Sequence, residues 1–501
     1  MQNNPTKDTM PSSKPNILFL VFDTARAKTV LPGLKTGLMP ATADLAQDGT
    51  IFTKAMTTAP WTLPSHSSMF TGMYTSDHST HAGSHMFEPE ASPLPERLNQ
   101  TGYKTAAISG NIWISPEFGF DKGFNQFSMK YDRLWEGADL SEFSSKDGIK
   151  GRAEALLQTL DGPDSLSKTI FNLLWAKIMG GRHDDGARQT TTRTINWIRN
   201  HNTSESPFFF FINYLEPHLE YNPPDGFIGE FVPDDLTDNE IESVNQDPWE
   251  YIAGNAEMDD RDFDLLEGLY KGELRYLDSQ VARLVSSLKQ MEVYDDTTIV
   301  IVGDHGENIG DHGLMDHQYS LHETLLHVPL IIKWPNSYDS GEEHNELVEL
   351  RDLFPTILEV AGIGADTNTK CSSNSLVPQQ GTFDSRDFTI SEYLVPQPSM
   401  DSLQDQVSSF DSHAEVFDRA LRSIRTTDWK LIESEHDDVE LYDLTNSSEE
   451  AEDVSQEYPQ VVANLRQQLT VERGQLNRGT TGKMEITDSS KERLEELGYL
   501  Q

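Results

Sequence analysis

The stretch TTIVIVGDH, residues 297–305, combines an uninterrupted apolar run with two polar residues at its end. Continuous apolar runs rich in β-branched residues are typical of central strands in a parallel sheet, where helices cover both faces. In an open α/β sheet, ligands bind beyond the carboxyl ends of the strands. We therefore expect Asp304 and His305 to stand where such a sheet binds a ligand.

Other apolar runs have the same character. They predict further buried strands, which we also expect to be parallel, at residues 16–23, 104–110, 207–215 and 328–335. Helical segments separate these runs, most clearly over residues 263–291, where leucine and valine recur near a 3.6-residue period. This alternation predicts an α/β fold, an α/β/α sandwich with a large, mostly parallel sheet and helices on both sides.

Two further segments read as helices. Residues 186–200 form one, and residues 346–362 form another that is interrupted or restarted at Pro355 and ended by Gly362. The acidic, polar stretch 229–262 has few strong periods and predicts a surface insertion that could rim a site.

The pattern changes after about residue 365. Residues 420–435 and 439–444 predict antiparallel strands, and residues 457–476 predict a helix. We therefore expect a smaller C-terminal α+β subdomain with an antiparallel sheet. The predicted divisions are a disordered tail over 1–15, a large domain over 16–365 and the subdomain over 366–501.

The charge balance excludes several classes of partner. The chain has 82 acidic and 39 basic residues, a formal net charge of −43 spread along its whole length. Such a field repels DNA, RNA and anionic lipid, so we expect no nucleic-acid partner. It is typical of a halophilic protein, in which high salt screens the self-repulsion. The alternative is a mesophilic protein with a basic partner.

The cysteine content, the apolar runs and the N-terminus bear on where in the cell the protein is expected. The single cysteine, Cys371, can form neither an intrachain disulfide nor a zinc–thiolate cluster. No apolar run approaches the ~18–20 residues of a membrane span, and the polar N-terminus has no apolar signal segment. We therefore expect a cytoplasmic protein without a membrane span; its oligomeric state is not predictable.

Polar residues follow the apolar runs in the same relative place. The residues are Asp23, Asn111, His218 and the pair Asp304 and His305. A single aspartate at a strand end is usually a helix cap or a turn former. Their repetition at four runs instead favours one site able to hold a metal or a phosphate-like group.

The stretch TAPWTLPSHSSMFTG, residues 58–72, predicts a short helix. Pro64 suits its first turn, Thr62 lies near its N-cap and Gly72 suits its stop. One interpretation is a capped helix and nothing more; the other is functional, because a helix N-terminus also attracts an oxyanion. Beside a divalent metal, the hydroxyl there could lose its proton and attack. The residues around Thr62 do not decide between the two.

Several segments together resemble the sulfatase family of the alkaline-phosphatase superfamily. In order they are NILFLVFDTAR, WTLPSHSSMFTG, YLEPH, GDHGENIGDHGLMDH, HVPLIIKWP, LRDLFPTILEVAGI and IRTTDWKLIE with ELYDL, spanning about Asn16 to Leu444. The resemblance implies a large catalytic α/β/α domain and a small C-terminal subdomain. It also implies metal-dependent cleavage of sulfate or phosphate esters.

The resemblance also implies roles for individual residues. The family's metal ligands fall on Asp23, Asp304 and His305, and its nucleophile position falls on Thr62, which would be a metal ligand as well. Its active-site histidine falls on His218.

Two more positions come from the run GDHGENIGDHGLMDH. A lysine that follows the shorter DHGExxGxHG pattern in many members falls on His317, and His312 matches the histidine within that pattern.

The departures from the family pattern bear on the chemistry. Threonine at position 62 cannot yield formylglycine, because oxidising it would leave a ketone. His66 replaces the arginine of the nucleophile motif, Thr24 replaces a metal-binding aspartate and Asn111 replaces a lysine. What remains resembles the lipoteichoic-acid-synthase branch and other phosphotransferases whose threonine forms a covalent phospho-threonine.

The mechanism that follows is a hypothesis. Asp23, Asp304, His305 and Thr62 hold a divalent cation, for which Mn²⁺, Mg²⁺ or Zn²⁺ is suited and Ca²⁺ less so. Thr62 attacks phosphorus or sulfur in line.

The other predicted site residues assist. His218 and His317 stabilise or protonate the leaving oxygen, and Asn111 holds non-bridging oxygens. His66 and His312 are expected nearby, although His66 could be only a helix-surface residue and His312 could act indirectly.

Three functions follow from this site. The first is a hydrolase of a small-molecule or glycan sulfate or phosphate ester. The second is a phosphotransferase or phosphodiesterase that works through phospho-threonine. The third is a non-catalytic protein that binds a polyanion, which the retention of Asp23, Thr62, Asp304 and His305 argues against.

Overall fold

The computed structural model describes residues 14–130, 186–201, 206–335, 341–364 and 373–479, apart from residues 225, 230, 234, 379–382, 384, 410–411 and 446–448. The predicted disordered tail lies almost wholly outside the described residues, and so does Cys371.

The described strands fall into a large sheet, a C-terminal sheet and a small hairpin. In chain order they are β1 (Asn16–Phe22), β2 (Gly49–Met56), β3 (Lys104–Ser109), β4 (Gln126–Met129), β5 (Phe208–Tyr214), β6 (Thr297–Gly303), β7 (Asn308–Ile309), β8 (Met315–Asp316), β9 (His327–Lys333), β10 (Glu342–Glu349), β11 (Phe388–Tyr393), β12 (Leu421–Thr426), β13 (Trp429–Ser434) and β14 (Val439–Asp443).

The described helices vary from one turn to eight turns. In chain order they are α1 (Ala27–Thr36), α2 (Pro40–Gln47), α3 (Thr62–Thr71), α4 (Thr75–His78), α5 (Leu94–Gln100), α6 (Ala187–His201), α7 (Asp238–Ser243), α8 (Pro248–Ile252), α9 (Asp260–Gln290), α10 (Glu323–Leu326), α11 (Leu353–Val360), α12 (Met400–Gln406) and α13 (Pro459–Arg473). The two clearest predicted helices, 186–200 and 263–291, are confirmed as α6 and α9.

The large sheet has the strand order β10-β2-β9-β6-β1-β5-β3-β4. Its neighbouring strands are parallel except around β9, which runs antiparallel to both β2 and β6. The prediction that residues 328–335 run parallel to the other strands is therefore wrong. A parallel return from β6 needs a long crossover, usually a helix. The chain between β6 and β9 instead holds the β7–β8 hairpin and the one-turn α10.

The five strands predicted from apolar runs, β1, β3, β5, β6 and β9, are buried on both faces, whereas the edge strands β4 and β10 are partly exposed. On β1, Ile17, Phe19 and Val21 belong to one apolar cluster. Leu18 and Phe22 belong to the cluster on the opposite face, which α9 also helps to build. This double burial fixes the strands rigidly, so the residues that follow their carboxyl ends are held in place.

The helix predicted over residues 346–362 begins later than expected. Its first four residues, 346–349, complete strand β10, and α11 starts at Leu353. Pro355 lies in the first turn of α11, where its missing N–H costs no hydrogen bond. Gly362 follows with a left-handed φ of 69° and ends the segment as predicted.

The C-terminal part contains the predicted antiparallel sheet, with the strand order β11-β12-β13-β14. Leu465 and Leu469 of α13 pack on it, in an apolar cluster with Ile424 and Leu431. The division at residues 365 and 366 stays a prediction. Among the described residues, no helix combines the length and the apolar character needed to cross a membrane.

Candidate active site

The ends of β1 and β6 bring two acidic residues together. These strands are parallel neighbours with Phe22 opposite Gly303, so Asp23 and Asp304 leave the sheet side by side. Both carboxylates are fully buried. The side chain of His305, the next residue, lies close to both carboxylates. Its Nε2 is 3.7 Å from Asp23 Oδ1 and 3.4 Å from Asp304 Oδ2.

Thr62 is the first residue of α3 and points its hydroxyl at this pair. Its Oγ1 lies 3.2 Å from His305 Nε2. The amide of Asn111, which follows β3, donates to Thr62 Oγ1 at 3.3 Å and to Asp23 Oδ2 at 2.9 Å. Three strand ends and one helix start therefore meet at a single buried hydroxyl.

The hydrogen bonds of Asp304 leave one of its oxygens facing the site. Oδ1 accepts the backbone N–H groups of Thr24, at 3.2 Å, and of His305, at 3.0 Å. Burial, together with the negative charge of Asp23, raises the pKa of Asp304 well above its usual range. Two carboxylates this close and this deeply buried can both be ionised only beside a compensating positive charge.

The tautomer of His305 is fixed by the backbone. Its Nδ1 lies 2.9 Å from the carbonyl oxygen of Gly306, which can only accept, so Nδ1 carries the proton and Nε2 presents a lone pair. Burial, and then the neighbouring His317, lower the pKa of His305 well below its usual range. This neutral imidazole with an anchored Nδ1–H is the form that binds metals.

The residues present fit a divalent cation. Asp23 Oδ1 and Asp304 Oδ2 are buried, and neither accepts a hydrogen bond from the part of the chain that the structure describes. With His305 they form a group whose ligand atoms all lie within 4.8 Å of one another. Two carboxylates, one imidazole and an adjacent hydroxyl suit Mn²⁺, Mg²⁺ or Zn²⁺.

Two further predicted histidines border this centre. The ring of His317 lies 4.5 Å from that of His305 and 5.2 Å from that of His218. His317 Nδ1 contacts the carboxylate of Asp316 and lies 3.5 Å from Glu307 Oε1. Burial alone would lower the pKa of His317, but these two carboxylates outweigh it and hold the pKa well above the usual range.

His66 is buried, not on the helix surface. Its Nδ1 donates to the carbonyl oxygen of Thr62 at 2.9 Å and lies 3.5 Å from Asp304 Oδ2. The ring packs edge-on against Phe211, and burial lowers its pKa to about 4. A neutral His66 supports the first turn of α3 and does not supply the positive charge of the arginine expected at this position.

The structure places His312 elsewhere. It lies at the turn between β7 and β8, with a left-handed φ of 56°, and its ring stacks on that of His322. Its Nε2 is 3.8 Å from Glu450 Oε2. The tight turn carries this side chain toward the C-terminal sheet, so the expectation that His312 joins the Thr62 centre is corrected.

Three residues of the centre were not predicted from the sequence. Asn213 donates to Asp23 Oδ2 at 3.4 Å, and its signal is that it interrupts the apolar run of β5. Glu307 and Asp316 flank His317 and form with it a second buried group of possible ligands. Both acids belong to the quoted GDHGENIGDHGLMDH run, but nothing in their spacing marks them as buried.

Comparisons with known proteins identify the family and the fold of the chain. A family model described as "Sulfatase" matches residues 15–363, and one described as "N-sulphoglucosamine sulphohydrolase, C-terminal" matches residues 310–475. Arylsulfatase K of Bos taurus is 21% identical over 481 residues, covering 91% of this chain and 81% of its own.

Two solved structures share the fold. The phosphonate monoester hydrolase of Agrobacterium radiobacter superimposes with a TM-score of 0.66 at 19% identity, over 95% of this chain and 99% of its own. A protein solved in complex with its substrate D-glucosamine-2-N,6-O-disulfate gives a TM-score of 0.66 at 20% identity, over 94% of this chain and 100% of its own.

Proposed function

The chain belongs to the sulfatase family, whose members are sulfuric ester hydrolases, and on that premise we propose that it cleaves its ester with Thr62 as a metal-activated nucleophile. One observation carries the proposal. The Thr62 hydroxyl is buried between His305 Nε2 and the Asn111 amide, at 3.2 and 3.3 Å, beside the carboxylates of Asp23 and Asp304.

Asp23, Asp304 and His305 would hold the cation next to Thr62. When bound, it would lower the pKa of the hydroxyl and neutralise charge on the ester oxygens. The amide of Asn111 donates hydrogen bonds, so it can turn from the Thr62 oxygen to a non-bridging ester oxygen. The first turn of α3 adds the positive end of its helix dipole.

The proposed reaction has two balanced steps. In the first, the Thr62 hydroxyl releases its proton to water, Oγ bonds to phosphorus or sulfur, and the bond to the leaving oxygen breaks. The leaving oxygen takes a proton from His317 or His218. In the second, water attacks the same atom and gives a proton back to that histidine, and the Thr62 oxygen leaves and is reprotonated.

The substrate class follows from the family and the structural neighbours. Relatives include an arylsulfatase, and one neighbour binds a glucosamine disulfate. We therefore propose a small-molecule or glycan ester as the substrate. A high net negative charge disfavours polyanions in general, so binding must depend on local cations at the site.

A phosphoryl-transfer activity is the second candidate. The observation that favours it is Thr62 itself, because threonine cannot become the formylglycine on which sulfate cleavage in the family usually depends. The similarity to a phosphonate monoester hydrolase is consistent with phosphorus chemistry on this fold.

One kinetic experiment tests the proposal and separates the candidates. The protein is stripped of metal and assayed in high salt on p-nitrophenyl sulfate, p-nitrophenyl phosphate and bis-p-nitrophenyl phosphate, with Mn²⁺, Mg²⁺, Zn²⁺ or Ca²⁺ added singly. We expect turnover of at least one ester that a chelator abolishes. Added glycerol diverts the product to glyceryl phosphate if the protein is a transferase. Absence of turnover with every ester and metal would favour the non-catalytic alternative.

A further inference from the structure

A third group of ligand-type side chains lies outside the candidate active site, where the β7–β8 hairpin meets the C-terminal sheet. It consists of His312 at the hairpin turn, His322 before α10 and Glu450 beyond β14. Glu450 Oε2 lies 3.8 Å from His312 Nε2 and 3.4 Å from His322 Nδ1. The two imidazole rings stack with their centroids 3.6 Å apart.

We propose that His312, His322 and Glu450 bind a zinc ion that ties the hairpin to the C-terminal sheet. Ligand atoms about 2.0–2.1 Å from a tetrahedral zinc stand about 3.3 Å from one another. The 3.4 Å separation already matches this value, and the 3.8 Å separation must close by about half an ångström. His312 can make this movement because its side chain is 19% exposed at a turn.

The rings must also tilt. They are within 11° of parallel, so their lone pairs run side by side and do not yet converge on one point. A zinc ion shared by both nitrogens requires His312 to rotate out of the stack. His322 stays as the fixed partner because it is buried between the hairpin and Tyr442.

The carboxylate of Glu450 is already oriented for this role. Lys430 Nζ lies 2.8 Å from Oε1, and the backbone N–H of Glu323 donates to Oε2 at 2.6 Å. These contacts hold the buried carboxylate so that Oε2 faces both imidazoles, with a second lone pair still available. Fixed supports of this kind strengthen metal ligands.

Burial and access complete the case. His322 is buried, and its Nδ1 faces the Glu450 carboxylate at 3.4 Å, so a cation between the two would bind a lone pair of each. A cleft of about 700 Å³, lined by His312 and Glu450 together with Arg26, Lys28 and Asp311, gives entry for the ion and room for a fourth, water ligand. Two imidazoles and one carboxylate favour zinc over Mg²⁺ or Ca²⁺, which prefer oxygen ligands.

Zinc retention tests the site apart from the proposed active site. In full-length protein, Asp23→Ala and Asp304→Ala remove the first metal group. We expect this double variant, loaded with ZnCl₂ and passed over a desalting column, to retain one zinc per chain. Adding His312→Ala and His322→Ala should remove that zinc. The matched control adds His436→Ala instead, at an exposed histidine of the β13–β14 turn, and should keep it.

Two outcomes of the zinc-retention experiment overturn the proposal. Either the double variant retains no zinc, or the quadruple variant without both histidines retains as much zinc as the double variant. Because the quadruple variant could misfold, the wild-type protein supplies a second measurement. Zinc should protect the exposed His312 from diethyl pyrocarbonate while leaving His436 reactive. Equal modification of His312 with and without zinc also overturns the proposal. A site that binds only water and no zinc would give this equal modification.

Discussion

Thr62 Oγ1 and His305 Nε2 lie 3.2 Å apart, although 243 positions separate the two residues in the chain. The hydroxyl is fixed by the start of α3 and the imidazole by the end of β6, both of them buried. Neither side chain has to move far to meet the other. A site held in this way has its reacting groups aligned before a substrate arrives.

Thr62→Ala should abolish ester turnover, lowering kcat by at least about 10³-fold, because no other hydroxyl replaces the nucleophile. Steady-state kinetics measure the loss, and intact mass after rapid quenching should show a phospho- or sulfo-adduct on wild type alone. Thr71→Ala, at the other end of α3, is the control; its hydroxyl donates to the Ser67 carbonyl at 2.7 Å and accepts the Met73 N–H at 3.3 Å, away from the site. Wild-type turnover by Thr62→Ala would exclude the assignment.

Asp304→Asn should stabilise the metal-free protein. Burial and the charge of Asp23 raise the pKa of Asp304 above its unfolded value, so the penalty is absent at low pH and present at pH 7, where the unfolded chain has released this proton. The asparagine has no ionisable group and can donate from Nδ2 to His305 Nε2. Calorimetry should show a Tm gain of roughly 1 °C per kcal/mol relieved for a chain of this length, and the Tm gain on adding metal should disappear.

Asp278→Asn is the matched control for that variant. Asp278 is equally buried, but its two oxygens accept the N–H groups of Ala41 and Thr42 and the Thr42 hydroxyl. The asparagine cannot accept all three, so we expect a lower Tm. A lower Tm for both variants would contradict the proposed repulsion between Asp23 and Asp304.

Tyr270→Phe should weaken metal binding by about 10-fold. The Tyr270 hydroxyl donates to the Thr24 carbonyl at 2.9 Å and accepts the Arg26 N–H at 2.8 Å. Thr24 has a left-handed φ of 60°, which strains a β-branched residue, and its N–H holds Asp304. Isothermal titration with Mn²⁺ measures the loss.

Tyr103→Phe is the control for Tyr270→Phe. It also removes one buried hydroxyl, which bonds the Pro15 carbonyl at 3.0 Å near the start of β1, away from the strand ends that form the site. Its Mn²⁺ affinity should equal that of wild type. Equal affinity in both variants would show that the Thr24 turn does not depend on the tyrosine.

The free energy of unfolding should fall as the pH drops from about 6.5 toward 3. Burial, and then the neighbouring His81, lower the pKa of His78 to about 3, and its Nδ1 accepts the Thr80 N–H at 3.0 Å, which requires a neutral ring. Between these pH values the unfolded chain binds the extra proton, so stability increases with pH. Urea titrations at pH 5 and pH 7 measure the difference.

The contribution of His78 can be separated from that of the other buried histidines. His78→Asn keeps an acceptor near Nδ1 but cannot titrate, so its dependence of stability on pH should be shallower than that of wild type by up to about 1.4 kcal/mol per pH unit. His436→Asn, at an exposed position, should match the wild-type slope. Identical slopes for all three proteins would refute the assignment.

The Tm should rise as KCl is increased from 0.1 to 2 M. Over this range the electrostatic screening length shrinks from about 10 Å to below about 3 Å. The cause is self-repulsion at a net charge of −43. A variant with lysine at the exposed positions Glu90, Asp121 and Glu457 makes the net charge six units less negative, and its Tm should rise less with salt. A flat salt response in both proteins would argue against a halophilic surface.

The sequence contains the information for Asp23, Asp304 and His305 because of simple sheet geometry. Long apolar runs predict parallel, doubly buried strands, and the carboxyl ends of such strands meet at one edge. The proximity of Thr62 to His305 needed the family resemblance, since no local period links a helix start to a strand so far along the chain.

Other features had no readable signal. An apolar run such as β9 does not encode the direction of its neighbours, so its antiparallel pairing was missed. His312 follows a strand of only two residues and lies in a left-handed turn, too short for any periodic pattern to report where its side chain points. Buried acids such as Glu307 look like surface residues until their surroundings are known.

The position of β9 between β2 and β6 has a consequence for biosynthesis. Of these three strands, β9 is synthesised last, and the pairings of the large sheet join β2 to β6 only through it. A nascent chain that stops before residue 327 already contains every proposed catalytic residue, and α3 can pack on β5 through His66 and Phe211, but the strand that joins β2 to β6 is missing. The growing polypeptide therefore completes the large sheet that supports its reactive centre only after β9 has left the ribosome.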